Sequence, residues 1–278
     1  MPSILTIAHL TLYDARRRKI LTAAALCAAV FLAVFTTAIA FATRELMEKP
    51  PSFIERQATF AVFSILGLYA ANFLSVLLAA LLPVDALSGE IDSGVMQTLA
   101  SKPIRRSEIV LGKWLGYGLV IVTYFLVVAG GVLLATRVAA GYVALNIGMA
   151  LPLMVLELLV MLSVSIAGGT RLGTVTNGIA TLGFYGVAFI GGWVEQFGAL
   201  SGLQSARTVG IGVSLISPPD TLWRLAAYYL QPDIVRTLGN GGPFSAASVP
   251  SALMVWWAAG FTAVSLACAV YSFRNRQL

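Results

Sequence analysis

The sequence predicts an all-α membrane protein with six transmembrane helices, and three observations carry that prediction. Hydrophobic residues make up 58% of the 278-residue chain and charged residues 11%, against roughly 25% charged in soluble domains. Six apolar runs are each long enough to cross an apolar core of about 30 Å. The 18 Lys and Arg residues gather at the ends of those runs, as membrane topology requires, and no basic patch interleaved with aromatics points to nucleic acid. No stretch outside the runs could build a separate core, so residues 1–278 read as a single transmembrane domain.

In chain order, residues 1–19 place Ile4, Leu5, Ala8, Leu12 and Ala15 at helical spacing ahead of Arg16-Arg17-Arg18-Lys19, an interfacial helix feeding the first span. His9 reads as a surface residue. The first span covers about residues 20–42. Its basic flank with Ala40-Phe41-Ala42 imitates a signal peptide, but the apolar stretch is too long for one, so an uncleaved anchor is expected. Polar residues 44–57, with Pro50-Pro51, return the chain outside the membrane, and the second span follows over about 59–84. The third, about 109–136, starts in Gly112-Lys-Trp-Leu-Gly116, a small-xxx-small spacing that permits close helix approach. The fourth covers about 142–167; the fifth, about 174–197, holds Gly178, Gly183, Gly186, Gly191 and Gly192. A long outer segment, 198–250, contains Pro218-Pro219-Asp220-Thr221, the start of a helix with an apolar, aromatic side that lies in the interface or dips into it. The sixth span covers about 251–273. Cys27 and Cys268 sit inside apolar runs and read as small packing residues, with no disulfide framework implied.

Between the second and third spans lies a polar island, residues 85–108. If Leu87–Ala100 is helical, Leu87, Ile91, Val95 and Leu99 recur every four residues while Glu90, Asp92, Ser93 and Gln97 fall elsewhere, which describes a short amphipathic helix at a membrane surface. Lys102-Pro103 ends it, and Ser107 with Glu108 opens the next helix with an acid at its positive end. In a six-span arrangement Arg16, Arg17, Arg18, Lys19, Lys102, Arg105, Arg106, Lys113, Arg171, Arg274 and Arg276 share one side. Arg44, Lys49, Arg56, Arg137, Arg207, Arg224 and Arg236 share the other, diluted by acids. The bias places both termini and the island in the cytoplasm.

The order Glu90, Gly94, Leu99, Lys102-Pro103-Ile104, Arg105-Arg106 and Leu111-Gly112-Lys113 resembles the first cytoplasmic loop of ABC-2 type transporter permeases, most closely over about residues 84–118. The resemblance implies a coupling helix that docks on an ABC ATPase subunit, with Glu90, Ile91, Gly94, Leu99, Arg105 and Arg106 as the coupling residues. It also implies a second copy of this or a related permease, a plasma (inner) membrane of bacterial or archaeal type, and an exporter in which residues 1–19 form an elbow helix and the second and fifth spans line the route. ATP and Mg would be bound by the partner ATPase, and no cofactor is expected in this chain.

The residues themselves agree that any motor is borrowed. Gly112-Lys113 is followed by Trp114 and lacks the upstream glycine of a phosphate cradle, so the chain has no P-loop. Nor does it carry HExxH or GxSxG; no catalytic residue is assigned. Arg105 and Arg106 fit partner contacts or lipid headgroup anchors equally. Glu157 is the one acid deep in an apolar run and is the candidate for the transport pathway, with Met154 and Met161 on its face. An acid there costs a few kcal/mol or more and tends to face a bundle interior or a wet cavity. A soft-metal path would need His or Cys support that the run lacks, and a hydrogen bond to a neighbouring helix is the plainer role. Two other classes stay open: a motor-free secondary transporter or channel, and a membrane anchor or assembly factor. The cargo is not legible, although apolar spans with one acid lean towards an amphipathic or lipid-like molecule.

Overall fold

The computed structural model describes residues 3–48, 52–92, 105–232 and 248–275. Within them the chain forms ten helices and no strands: α1 Ser3–Arg16, α2 Lys19–Glu48, α3 Phe53–Leu81, α4 Ser88–Asp92, α5 Arg106–Ala140, α6 Ile147–Gly169, α7 Thr174–Ser201, α8 Gln204–Ile216, α9 Pro219–Leu230 and α10 Leu253–Arg274. Six of them, α2, α3, α5, α6, α7 and α10, are long and apolar enough to cross a membrane. The chain is a multi-pass membrane protein.

Helices α2, α5 and α7 overrun the expected spans because polar residues add turns at their ends, and α3 starts earlier than expected but ends at Leu81; α6 starts at Ile147, five residues after the expected start of the fourth span. Ser52 opens α3 through a capping box, its side chain accepting from the Glu55 amide while Glu55 reaches back to the Ser52 amide; this starts the helix several residues ahead of the apolar run. Gly141 and Gly202, at φ 67° and 71°, end α5 and α7 in the left-handed conformation that a side chain disfavours. At 35 residues α5 is about 52 Å long. That exceeds the roughly 30 Å apolar core, and α1 packs along the excess. Gly112 meets Ile7, and Gly116 meets Ala8 and Thr11, so the small-xxx-small spacing serves the contact between α5 and the N-terminal helix.

At the centre stands α6, which touches α3, α5, α7, α9 and α10. Met154, Leu158, Val160, Met161 and Leu162 on it are completely buried. It runs parallel to α3: Asn72 bonds Glu157 and Ser165 bonds the Ala80 carbonyl, both pairs 85 residues apart. The outer helices α2 and α10 expose most of their apolar surface, as lipid-facing helices do. Cys27 and Cys268 lie on that exposed surface, which corrects their reading as packing residues; they are small residues turned outward.

After α7 the chain turns back as an antiparallel hairpin. Gly191 receives Val213, the Glu195 backbone abuts Gly210, and Gly198 abuts Ala206 and Arg207, so glycines on both helices bring α7 and α8 into close contact. The turn before α9 bonds to the middle of α7, Ser217 donating to the Phe184 carbonyl at 2.9 Å. Helix α9 then begins with Pro219 in its first turn and is buried along nearly its whole length. It dips into the bundle and does not lie flat in the interface. The Gly239–Pro243 loop expected after it is outside the described residues.

Two alanine substitutions on α5 should move stability in opposite directions. A Cβ at Gly112 would stand 2.7 Å from Ile7 Cβ and 2.9 Å from the Ile4 carbonyl, an overpacking cost of about 1–3 kcal/mol. At Gly130 nothing lies within 4 Å, and Ala there should stabilise by about 0.5–1 kcal/mol through helix propensity. Thermal unfolding of the detergent-solubilised protein reads both, and a lowered midpoint for Gly112→Ala beside a raised one for Gly130→Ala is expected.

Candidate functional site

Charged and polar side chains meet at three levels of the bundle. At the first, the described part of the polar island is clamped from several sides. Asp85 pairs with Arg18 from the turn between α1 and α2, and the same guanidinium donates to the Leu82 carbonyl at 3.2 Å and stands over the Tyr117 ring. One turn on, Lys113 of α5 reaches Glu90 at 2.5 Å and donates to the Ala86 carbonyl at 2.7 Å. Lys113 is only 6% exposed, so its charge depends on those acceptors. From α7, Asn177 donates to the carbonyls of Val84 and Ser165 at 3.0 and 2.9 Å, and Thr174 lies 3.2 Å from Ser88. The chain leaving α3 is therefore fastened to the α1–α2 turn, α5, α6 and α7 before α4 is complete.

Of the residues expected to couple to a partner, Glu90 is turned onto Lys113. Ile91 belongs to α4 by its backbone. Gly94 and Leu99, with Lys102-Pro103, lie outside the described residues. Arg105 is exposed ahead of α5, its amide donating to Glu108 at 3.2 Å. Arg106 turns inward and donates to the carbonyls of Phe273 and Arg274 at 3.1 and 3.0 Å, a cation at the negative C-terminal end of α10.

The second level is the middle of the bundle. Glu157 is completely buried and accepts from Asn72 Nδ2 of α3 at 3.0 Å, a hydrogen bond to a neighbouring helix. Met154 and Met161 share its face and are equally buried, so in this conformation the three line no open path. Among the described residues no three His, Cys, Asp or Glu side chains converge as a metal site would need.

At the third level, near the far end, Arg224 of α9 is 2% exposed and holds two acids. Its guanidinium pairs with Glu195 of α7 and Asp220 of α9, each at 2.9 Å, and donates to Ser214 of α8 at 3.1 Å. Ser248 donates to Glu195 at 2.7 Å. Gly192 makes room, since a Cβ there would collide with the Asp220 carboxylate. Burial pushes the Asp220 carboxyl up to about 6, against the downward pull of Arg224. From sequence alone Arg224 groups with the outer loop bases, and this cluster goes unseen. Its one local signal is Asp220 and Arg224 at i, i+4 inside an otherwise apolar helix.

The model of the family described as ABC-2 family transporter protein matches residues 5–278. The chain belongs to the ABC-2 transporter family. It is 33% identical over 135 residues to a probable ABC transporter permease protein NosY from Pseudomonas aeruginosa and, to the same extent, to one from Stutzerimonas stutzeri. Each match covers 49% of this chain and 46% of the relative, so the aligned part spans about half the length of these curated relatives. As an ABC-2 permease the chain is the membrane-embedded kind of subunit.

Removing the cation from the Arg224 cluster should be far costlier than removing the cluster. Arg224→Met leaves two buried carboxylates facing each other, a loss of about 3–5 kcal/mol. Combining it with Glu195→Gln and Asp220→Asn should recover most of that loss. Thermal unfolding of the purified variants checks the ranking; equal midpoints for the single and triple variants would contradict a buried charge cluster.

Proposed function

We propose that this chain is the membrane subunit of an ATP-driven exporter, energised by a separate ATPase that docks on the polar island, with a second copy of the chain completing the pathway in a bacterial or archaeal plasma membrane. The observation that supports it is the clamp around the island. Arg18 with Asp85, Lys113 with Glu90 and Asn177 with Val84 make the chain after α3 part of the bundle, so a push on it is a push on the α1–α2 turn, α5 and α7. Arg105 would face the docking partner, and Arg106 would tie the end of α10 to the start of α5. ATP and Mg belong to the partner.

A second reading has one observation of its own. A motor-free transporter would be expected to carry intramembrane acid–base pairs or repeated halves, and Arg224 with Glu195 and Asp220 is one buried acid–base group. Transport by vesicles that lack any ATPase, driven by an ion gradient alone, would favour it.

Co-expression with an ATPase from the same source tests the first reading. Glu90→Arg sets two cations against each other and should lower permease-stimulated ATP hydrolysis about tenfold, equivalent to ~1.4 kcal/mol in activation free energy. The swap Glu90→Lys with Lys113→Glu should restore most of it, because the clamp is rebuilt with its charges exchanged. If no ATPase associates under any condition, the proposal fails.

A further inference from the structure

Alongside α1 and α2 runs an apolar groove of about 500 Å³ that the clamp and the buried clusters leave unused. Its wall on α2 is Ala25, Ala28, Ala29 and Leu32, at i, i+3, i+4 and i+7 on one helix face. The facing wall on α5 is Leu119, Thr123 and Val127, at i, i+4 and i+8. The two helices run parallel, held by Tyr124 donating to the Ala24 carbonyl at 3.0 Å and by Gly131 against Leu32. The alanines supply too little side chain to fill the space between them.

Three properties define what fits. The groove from Leu21 to Leu32 spans 12 residues, about 16 Å at the helical rise, which is half of the roughly 30 Å apolar core and thus one leaflet. It ends at Arg16, the exposed last residue of α1. Arg16 belongs to a run of four bases, Arg16, Arg17, Arg18 and Lys19, that follows one acid, Asp14. In that run Arg18 is engaged by Asp85 and Arg17 stacks on the Tyr13 ring, and Arg16 is the base at the groove mouth. The mouth is on the island side, where the distribution of bases places the cytoplasm and its anionic lipids.

We propose that this groove is a binding site for an anionic phospholipid of the island-side leaflet, one acyl chain lying between α2 and α5 and the phosphate on Arg16. Such a lipid would brace α1 and α2 against residues 119–128 of α5, the turns that follow Lys113. It would make the clamp sensitive to membrane composition.

The test uses the purified full-length chain in mild detergent, with phosphatidylglycerol and phosphatidylcholine of matched acyl chains as probes and retained lipid counted by native mass spectrometry. Preferential retention of phosphatidylglycerol is expected. Arg16→Gln should reduce that preference about fivefold, the value of one basic residue near a surface. Ala25→Trp or Ala29→Trp, which fill the groove from exposed positions, should lower retention of both lipids. Leu26→Trp, 67% exposed and outside the groove, should change neither and controls for folding. Equal retention of the two lipids with no effect of Arg16→Gln overturns the proposal. So does a loss of dimer in the Trp variants with lipid retention unchanged, which would make a second copy of the chain the occupant.

Discussion

Lys113 carries a charge at a place where water is nearly absent, and the geometry of the island end follows from that. A buried ammonium must be met by acceptors with good geometry, and those it has are the Glu90 carboxylate and the Ala86 carbonyl. Both belong to the short stretch that leaves α3. Satisfying Lys113 therefore fixes the position of that stretch against α5, and Arg18 repeats the same logic from the turn between α1 and α2. A polar loop that composition alone would leave solvated is thereby built into the wall of the bundle.

The other two polar levels show the same constraint met in different ways. Glu157 at mid-bundle has a neutral donor, Asn72, on the parallel helix α3. Near the far end Arg224 sits between two acids and two hydroxyls on α7, α8 and α9. Each level joins elements far apart in the chain, so each acts as a staple between helices whose apolar surfaces discriminate poorly between neighbours in lipid. The glycines serve the same end by letting backbones approach: Gly112 and Gly116 for α1, Gly191 and Gly198 for the hairpin.

Much of this is legible in the residues. The six spans stand out because an uninterrupted apolar run of bilayer length is stable chiefly as a helix in lipid, and the Pro218-Pro219-Asp220 start of α9 is visible because proline marks a first turn. What escapes has its cause outside the local sequence. Helix α8 is short, with no cap bonded by a side chain, and is held by glycine contacts that a one-dimensional pattern does not contain. Arg224 looks like a loop base because its partner Glu195 lies 29 residues earlier on another helix. Glu90 and Arg106 look outward-facing, and their turn towards Lys113 and α10 depends on charges brought close only by folding.

The central claim is that the island start and the bundle move as one body. The most direct test joins them covalently at Ser88 and Thr174, whose hydroxyls are 3.2 Å apart, as Ser88→Cys with Thr174→Cys in a background without Cys27 and Cys268. If the proposed ATPase partner associates, stimulated ATP hydrolysis is then compared before and after mild oxidation. The account predicts a disulfide that forms readily and leaves stimulation intact; a disulfide that abolishes stimulation, restored on reduction, would show that the island slides against α7 and would contradict it.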